Sequence, residues 1–183
     1  MNLNDYIKTY NAIPPKTVSK LVRWANQQSF NDAVTLGGLD KKVRNVVECP
    51  LYVDKNNKTK TKWFNLFTKC FYKIFELYKK DTNNNLIGVK YVLNINLLKY
   101  EKDYFYINHV DHAPNIPRTI SFIIFLNNDY EGGELVFNFS NGEKHIVKPE
   151  VGKVLVWPST FMYPHQVNSV TKGTRYVVVG WVL

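Results

Sequence analysis

The stretch TISFIIFLNNDYEGGELVFNF, Thr119 to Phe139, holds an apolar run, a polar turn, a glycine pair and a second apolar run. Ile120–Leu126 is far too short to cross a bilayer and suits a strand buried on both faces. Asn127-Asn128-Asp129 and Gly132-Gly133 are turn chemistry, and Leu135–Phe139 resumes the strand pattern. The same alternation extends outward on both sides. Tyr91–Tyr100 precedes it, and Lys144–Val147, Lys153–Trp157, Gln166–Val170 and Arg175–Val182 follow, separated by Asn141-Gly142, Pro149–Gly152 and Lys172-Gly173. Many short strands with regular turns predict an antiparallel sandwich or small barrel.

The residues before this region read differently. Pro14-Pro15 opens a helix carrying Val18, Leu21, Val22 and Ala25 at helical spacing. Gly37-Gly38 interrupts the chain, Lys42–Leu51 reads as extended, and Asp54–Lys62 is a polar, lysine-rich loop and a candidate lid. From Lys62 to Lys80 an amphipathic helix places Trp63, Leu66, Phe67, Cys70, Phe71, Ile74, Leu77 and Tyr78 along one side. That stripe is expected to back a sheet rather than bind a ligand. Asp81–Asn85 ends the helix, and the pattern changes after Gly88. Helices first and strands second predict an α+β fold, a double-stranded β-helix (jelly roll) with helices packed outside. A chain of 183 residues fits one domain, residues 1–90 as a helical support and 91–183 as the jelly-roll core.

Composition narrows the class. With 45% hydrophobic and 15% aromatic residues the chain is globular. Of its net charge of +9, all falls in residues 1–90. The lysines are not interleaved with aromatics on one platform, so a solvated helix face is favoured over a nucleic-acid surface. The start lacks a basic region followed by an apolar run, and no segment is long enough to span a membrane. Cys49 and Cys70 form neither a C-x-x-C pair nor a disulfide framework. A cytoplasmic protein with reduced thiols is expected.

The chemistry-bearing residues are His109-Val110-Asp111, His165 and Arg175. On an extended chain residues i and i+2 face the same side, so His109 and Asp111 can share a cavity, the carboxylate entering from the adjoining turn. His165 supplies a third ligand if its strand lies alongside. Two imidazoles and one carboxylate cap one face of an octahedral ion such as Fe(II) and leave positions open. Arg175 offers a planar fork for a carboxylate. A hydrolytic metalloprotein could use the same ligands, but it leaves Arg175 and Gly132-Gly133 without a role. His112 reads as a turn residue and His145 as an ordinary strand residue.

From about Tyr91 to Leu183 the chain resembles the prolyl 4-hydroxylase-like group of 2-oxoglutarate/Fe(II)-dependent dioxygenases. The resemblance rests on Tyr100, His109-Val110-Asp111, Arg118, Phe125-Leu126-Asn127, Tyr130–Phe137, Gly152, Pro158, His165-Gln166-Val167, Arg175-Tyr176 and Trp181. It implies Fe(II) bound by His109, Asp111 and His165, and 2-oxoglutarate gripped by Arg175 with help from Tyr100, for which Tyr106 is a nearby competitor. It also implies dioxygen as cosubstrate, ascorbate as an optional addition, release of succinate and CO2, and a proline-containing peptide or protein as substrate. Arg118 and Trp181 stand where hypoxia-sensing prolyl hydroxylases contact the peptide. The chain departs from those members at Phe125, where they carry a tyrosine that hydrogen-bonds the cosubstrate's far carboxylate. Tyr91 and Thr119 are the candidates to replace it. Two alternatives stay open: the same chemistry on another side chain or a small molecule, and a non-catalytic jelly-roll binding module with a basic face.

Overall fold

The computed structural model describes residues 2–84 and 91–183. Asn85 and Gly88, expected at the end of the long helix and at the change of pattern, lie outside the described residues.

Helix α1 spans Pro15–Ala25, with a proline in its first turn and Val18, Leu21 and Ala25 buried. Helix α2 spans Lys58–Asp81 and starts four residues before the expected Lys62. The Asn57 side chain accepts the Lys60 N–H at 2.9 Å, and the Thr61 hydroxyl bonds both the N–H and the carbonyl of Asp54 at 2.8 and 2.9 Å. This cap, and not the apolar periodicity that begins at Trp63, sets where the helix starts. Much of the expected Asp54–Lys62 loop is therefore helix.

The first half of the chain also supplies strands: β1 (Lys8–Asn11) and β2 (Asn31–Asp32), which the sequence pattern did not suggest, and β3 (Arg44–Asn45) and β4 (Val47–Pro50), which fall in the expected extended stretch. The second half supplies β5 (Val92–Tyr100), β6 (Phe105–His109), β7 (Ile120–Phe125), β8 (Glu131–Gly132) and β9 (Leu135–Asn138). It continues with β10 (Lys144–Val147), β11 (Lys153–Pro158), β12 (His165–Val167), β13 (Val170–Lys172) and β14 (Arg175–Val182). A major sheet runs in the order β1-β11-β7-β14-β5-β4-β2, a minor sheet in the order β10-β9-β12-β6-β3, and β13 pairs with β8. The two larger sheets form the double-stranded β-helix expected from the sequence, built from antiparallel pairs.

Strand β7 shows why its sequence is apolar throughout. Ile120, Phe122 and Ile124 face a cluster under the helices, which includes Trp63, Phe67, Phe71 and Phe75 of α2. Ile123 and Phe125 face the interior between the sheets, with Leu98, Phe137 and Trp157. Both faces are covered, so period-2 alternation gives way to a continuous run. Helix α2 seats closely on the sheet: Phe71 stacks on Phe122 with centroids 4.8 Å apart, and a Cβ at Gly180 would strike the Phe71 ring. Lys58, Lys62, Lys69, Lys73 and Lys80 are all exposed, on the side of α2 away from this aromatic stripe. The positive surplus thus occupies a solvated face. Among the described residues no helix is long and apolar enough to cross a membrane.

Candidate metal centre and active site

His109 closes β6 and His165 opens β12, and the antiparallel register sets the two directly opposite each other. Their rings lie 4.3 Å apart. Asp111 follows two residues beyond the end of β6, in a bend, so its carboxylate enters from the turn. One donor atom from each of the three residues falls within 4.8 Å of the others. Asp111 Oδ1 is 3.6 Å from His109 Nε2, and Asp111 Oδ2 is 3.6 Å from His165 Nε2.

The protonation pattern suits a cation. His109 Nδ1 lies 2.9 Å from the Ile107 carbonyl and His165 Nδ1 3.0 Å from that of Tyr163. A carbonyl only accepts, so each Nδ1 carries a proton and each Nε2 is the ring nitrogen turned toward the cluster. Burial, then the neighbouring His109, pushes the His165 imidazole down to about 4, so it is neutral at pH 7. Burial alone would raise the Asp111 carboxyl. The facing His165 and His109 rings and the Ser121 hydroxyl outweigh it and hold the group well below the usual carboxylate range. Two imidazoles and one carboxylate, walled by Phe137 and Trp157 against His165 and by Tyr106 stacked 3.5 Å from His109, fit a divalent ion of the Fe(II) type.

Behind this cluster lies Arg175, the first residue of β14, paired in register with Tyr100. It is completely buried, and among the described residues its Nε, Nη1 and Nη2 meet no acceptor in hydrogen-bond geometry. Its guanidinium carbon lies 4.8 Å from the Tyr100 ring centroid. An unpaired buried cation is costly, and a cavity holding one is matched to an anionic ligand. The adjoining cavity is lined by Arg44, Tyr100, Tyr106, Leu135, Trp157 and Val167 together with His109, Asp111 and His165, so it joins the arginine's cross-strand partner to the metal cluster. Gly133 makes room for the arginine: a Cβ there would lie 2.9 Å from Val170 Cγ2 and 3.1 Å from Arg175 Cδ, at a φ of +66°. The two expected replacements for the tyrosine lost at Phe125 fail on position. Val182, at the far end of β14, pairs with Val92 and Ile120. Tyr91 and Thr119 adjoin that end, seven residues or about 23 Å along the strand from Arg175.

Toward solvent the cavity opens into a cleft of about 580 Å³. Arg118 and Trp181 come together on its wall, with the guanidinium carbon 3.8 Å from the indole centroid and Nη1 donating to the Asp111 carbonyl at 3.4 Å. Sequence reasoning missed Arg44 and Glu48, which also line this cleft. Arg44 donates to the Val34 carbonyl at 2.6 Å and pairs with Glu48 at 3.4 Å. Burial raises the Glu48 carboxyl, against the pull of Arg44 and Arg118. The only signal for either was a charge within an otherwise extended apolar stretch. The overhang comes from Val34–Gly37, not from Asp54–Lys62, none of which lines the cleft. His112 sits in the bend with its Nδ1 3.0 Å from the Arg118 carbonyl, and His145 is on β10; neither joins the metal cluster.

A jelly roll carrying this constellation defines a class, and the chain belongs to the 2-oxoglutarate/Fe(II) oxygenase superfamily, whose family model matches residues 95–183. Members are dioxygenases that use Fe(II) and 2-oxoglutarate. A PKHD-type hydroxylase of Rippkaea orientalis is 32% identical over 176 residues, covering 90% of this chain and 72% of that one. A PKHD-type hydroxylase of Picosynechococcus is 46% identical over a shorter stretch of 81 residues, 42% of this chain and 36% of that one. Among solved structures, a Trichoplax adhaerens prolyl hydroxylase in complex with a hypoxia inducible factor oxygen degradation domain peptide superposes with a TM-score of 0.80. That match has 14% identity and covers 99% of this chain and 85% of the other, a likeness of fold.

Proposed function

We propose that the chain hydroxylates a proline residue within a peptide or protein, using His109, Asp111 and His165 as the metal ligands and Arg175 as the grip on 2-oxoglutarate. The observation that carries this reading is the adjacency of three parts. A His–His–carboxylate cluster lies between a cavity walled by Tyr100, whose ring the buried Arg175 guanidinium faces, and an open cleft. The bound Fe(II), with dioxygen and 2-oxoglutarate, supplies hydroxylation of an unactivated C–H bond with release of succinate and CO2.

The chain's own residues then bind and orient. The Ile107 and Tyr163 carbonyls hold both imidazoles in the Nδ1–H tautomer. Arg175 selects for length by pairing with the carboxylate farthest from the cluster, and Tyr100, its cross-strand partner, walls the same cavity. Tyr106 lines that cavity too but stacks on His109; the register and the guanidinium contact with Arg175 favour Tyr100. Arg118 and Trp181 form the wall against which a peptide would lie, and the cleft is large enough for an extended segment. The two free cysteines support a reducing compartment such as the cytoplasm. Residues 1–183 act as one dioxygenase domain, supported by strands from the first ninety residues that complete both larger sheets.

The test is mass spectrometry of a peptide library incubated with enzyme, Fe(II) and 2-oxoglutarate. One added oxygen on proline, lost in His109→Ala, is expected. Oxygen found only on other side chains, or only on free small molecules, would reject the prolyl assignment while leaving the reaction class in place.

A further inference from the structure

Asp111 lies outside any strand, so its backbone alone does not aim its carboxylate; something else must hold it. On β7 the inward-facing residues are Ser121, Ile123 and Phe125, and the serine is the one polar member of an otherwise apolar strand. It sits between Trp157 of β11 and Trp181 of β14 in the register and is 1% exposed. Its Oγ donates to Asp111 Oδ2 at 2.6 Å. On its other side lies Ser159 Oγ, 2.8 Å away and equally buried. Ser159 follows directly on β11. It holds the bend as well: its carbonyl accepts the His112 N–H at 2.9 Å, and its own N–H donates to the Thr119 carbonyl at 2.9 Å.

The direction of this chain follows from its end. An ionised carboxylate only accepts, so the single Ser121 proton goes to Asp111, and Ser159 must then donate to Ser121. The bond to Asp111 has the short length of an O–H donor on a charged acceptor. It engages Oδ2, while Oδ1 stays free toward the His109 Nε2.

We infer that Ser121, backed by Ser159, is a positioning residue that holds Asp111 as a single-oxygen metal ligand. This rests on the proposed assignment of Asp111 as a ligand. A carboxylate tied through one oxygen offers the other and does not chelate, which keeps a coordination position open for the cosubstrate. Ser159 sets the rotamer of Ser121 and pins the backbone next to Asp111, so that side chain and bend move together.

Calorimetric titration of the apoprotein with Co(II), a redox-stable probe, tests it, with the visible spectrum of the Co(II) protein recorded alongside. Outer-shell partners of this kind are worth 10–100-fold in metal affinity. Ser121→Ala is expected to lose roughly that much and to change the Co(II) spectrum, while Ser121→Thr, which keeps the hydroxyl, restores both. Ser159→Ala is expected to lose affinity in the same direction by a smaller factor. Wild-type affinity and spectrum in Ser121→Ala would overturn the inference; a merely structural serine would lower thermal stability and leave both unmoved. If Ser121→Ala does not fold, Ser159→Ala decides, and unchanged affinity there overturns it. Failure of the wild type itself to bind Co(II) would instead refute the ligand assignment.

Discussion

Replacing Arg175 by methionine should strengthen the apoprotein and cripple its response to 2-oxoglutarate. Methionine is unbranched and of similar length, so it can fill the fully buried slot beside Gly133. The substitution removes a buried guanidinium whose nitrogens meet no acceptor in hydrogen-bond geometry among the described residues; a charged group left unpaired in this way costs about 2–3 kcal/mol. Against this stands the lost cation–π contact with Tyr100, 4.8 Å from the guanidinium carbon, worth about 1–2 kcal/mol when desolvated. The balance is about 1 kcal/mol in favour of the variant, a rise of roughly 2–4 °C in Tm for a chain of this size. For ligand binding the sign reverses. Losing one partner of a buried, hydrogen-bonded charge pair costs about 2–5 kcal/mol, and about 3 kcal/mol is around a hundredfold in affinity. Differential scanning fluorimetry of wild type and Arg175→Met, with and without 2-oxoglutarate plus Mn(II), measures both quantities. An apoprotein several degrees less stable than wild type, or an undiminished shift with 2-oxoglutarate, would refute the reasoning.

Other perturbations separate the parts of the site. The buried His165 has its folded value near 4 against an ordinary 6.5, so the unfolded chain takes up the proton first. Stability from this group is therefore complete above 6.5 and is lost as pH falls toward 4, by up to about 3 kcal/mol. Asp111, also depressed, adds loss in the same direction at lower pH. Urea melts of the apoprotein across that window should show the fall, and His165→Gln should flatten it. Gly133→Ala places a Cβ against Val170 and Arg175 at a positive φ, which should cost about 2 kcal/mol and weaken 2-oxoglutarate binding, read by the same fluorimetry. Arg118→Ala should raise the peptide KM about tenfold with a smaller effect on the 2-oxoglutarate requirement, since its guanidinium lies on Trp181 in the outer cleft and touches the metal cluster only through the Asp111 carbonyl; an effect confined to the 2-oxoglutarate requirement would contradict that placement. Asn57→Ala removes the cap of α2 and should lower stability by about 1 kcal/mol without altering kcat.

Much of this site could be read from the residues because its parts are local signatures. The stretch Ile120–Phe125 announced a strand covered on both faces, and the spacing of His109, Asp111, His165 and Arg175 named the side chains that the structure gathers. The rest depended on information that spacing does not hold. Strand β1 is four residues that gain order only by pairing with β11, and the start of α2 depended on an asparagine cap hidden in a lysine-rich run. Tyr91 and Thr119 seemed near Arg175 only while the register was unknown; seven residues of β14 separate them. Asp54–Lys62 was only a candidate lid, since composition marks mobility and not location, whereas Val34–Gly37, which lines the cleft, is tied in place by Arg44. Ser121 was visible as a lone hydroxyl inside an apolar strand, but its meaning needed Asp111 at 2.6 Å.

The most direct test is an anaerobic absorption titration of the apoprotein with Fe(II) and then 2-oxoglutarate. On the proposal that His109, Asp111 and His165 hold one ion and Arg175 grips the cosubstrate, one equivalent of each should produce a visible charge-transfer band that vanishes in Asp111→Ala and needs far more 2-oxoglutarate in Arg175→Met. A wild-type protein that gives no band, or a band that persists unchanged in Asp111→Ala, would contradict that arrangement.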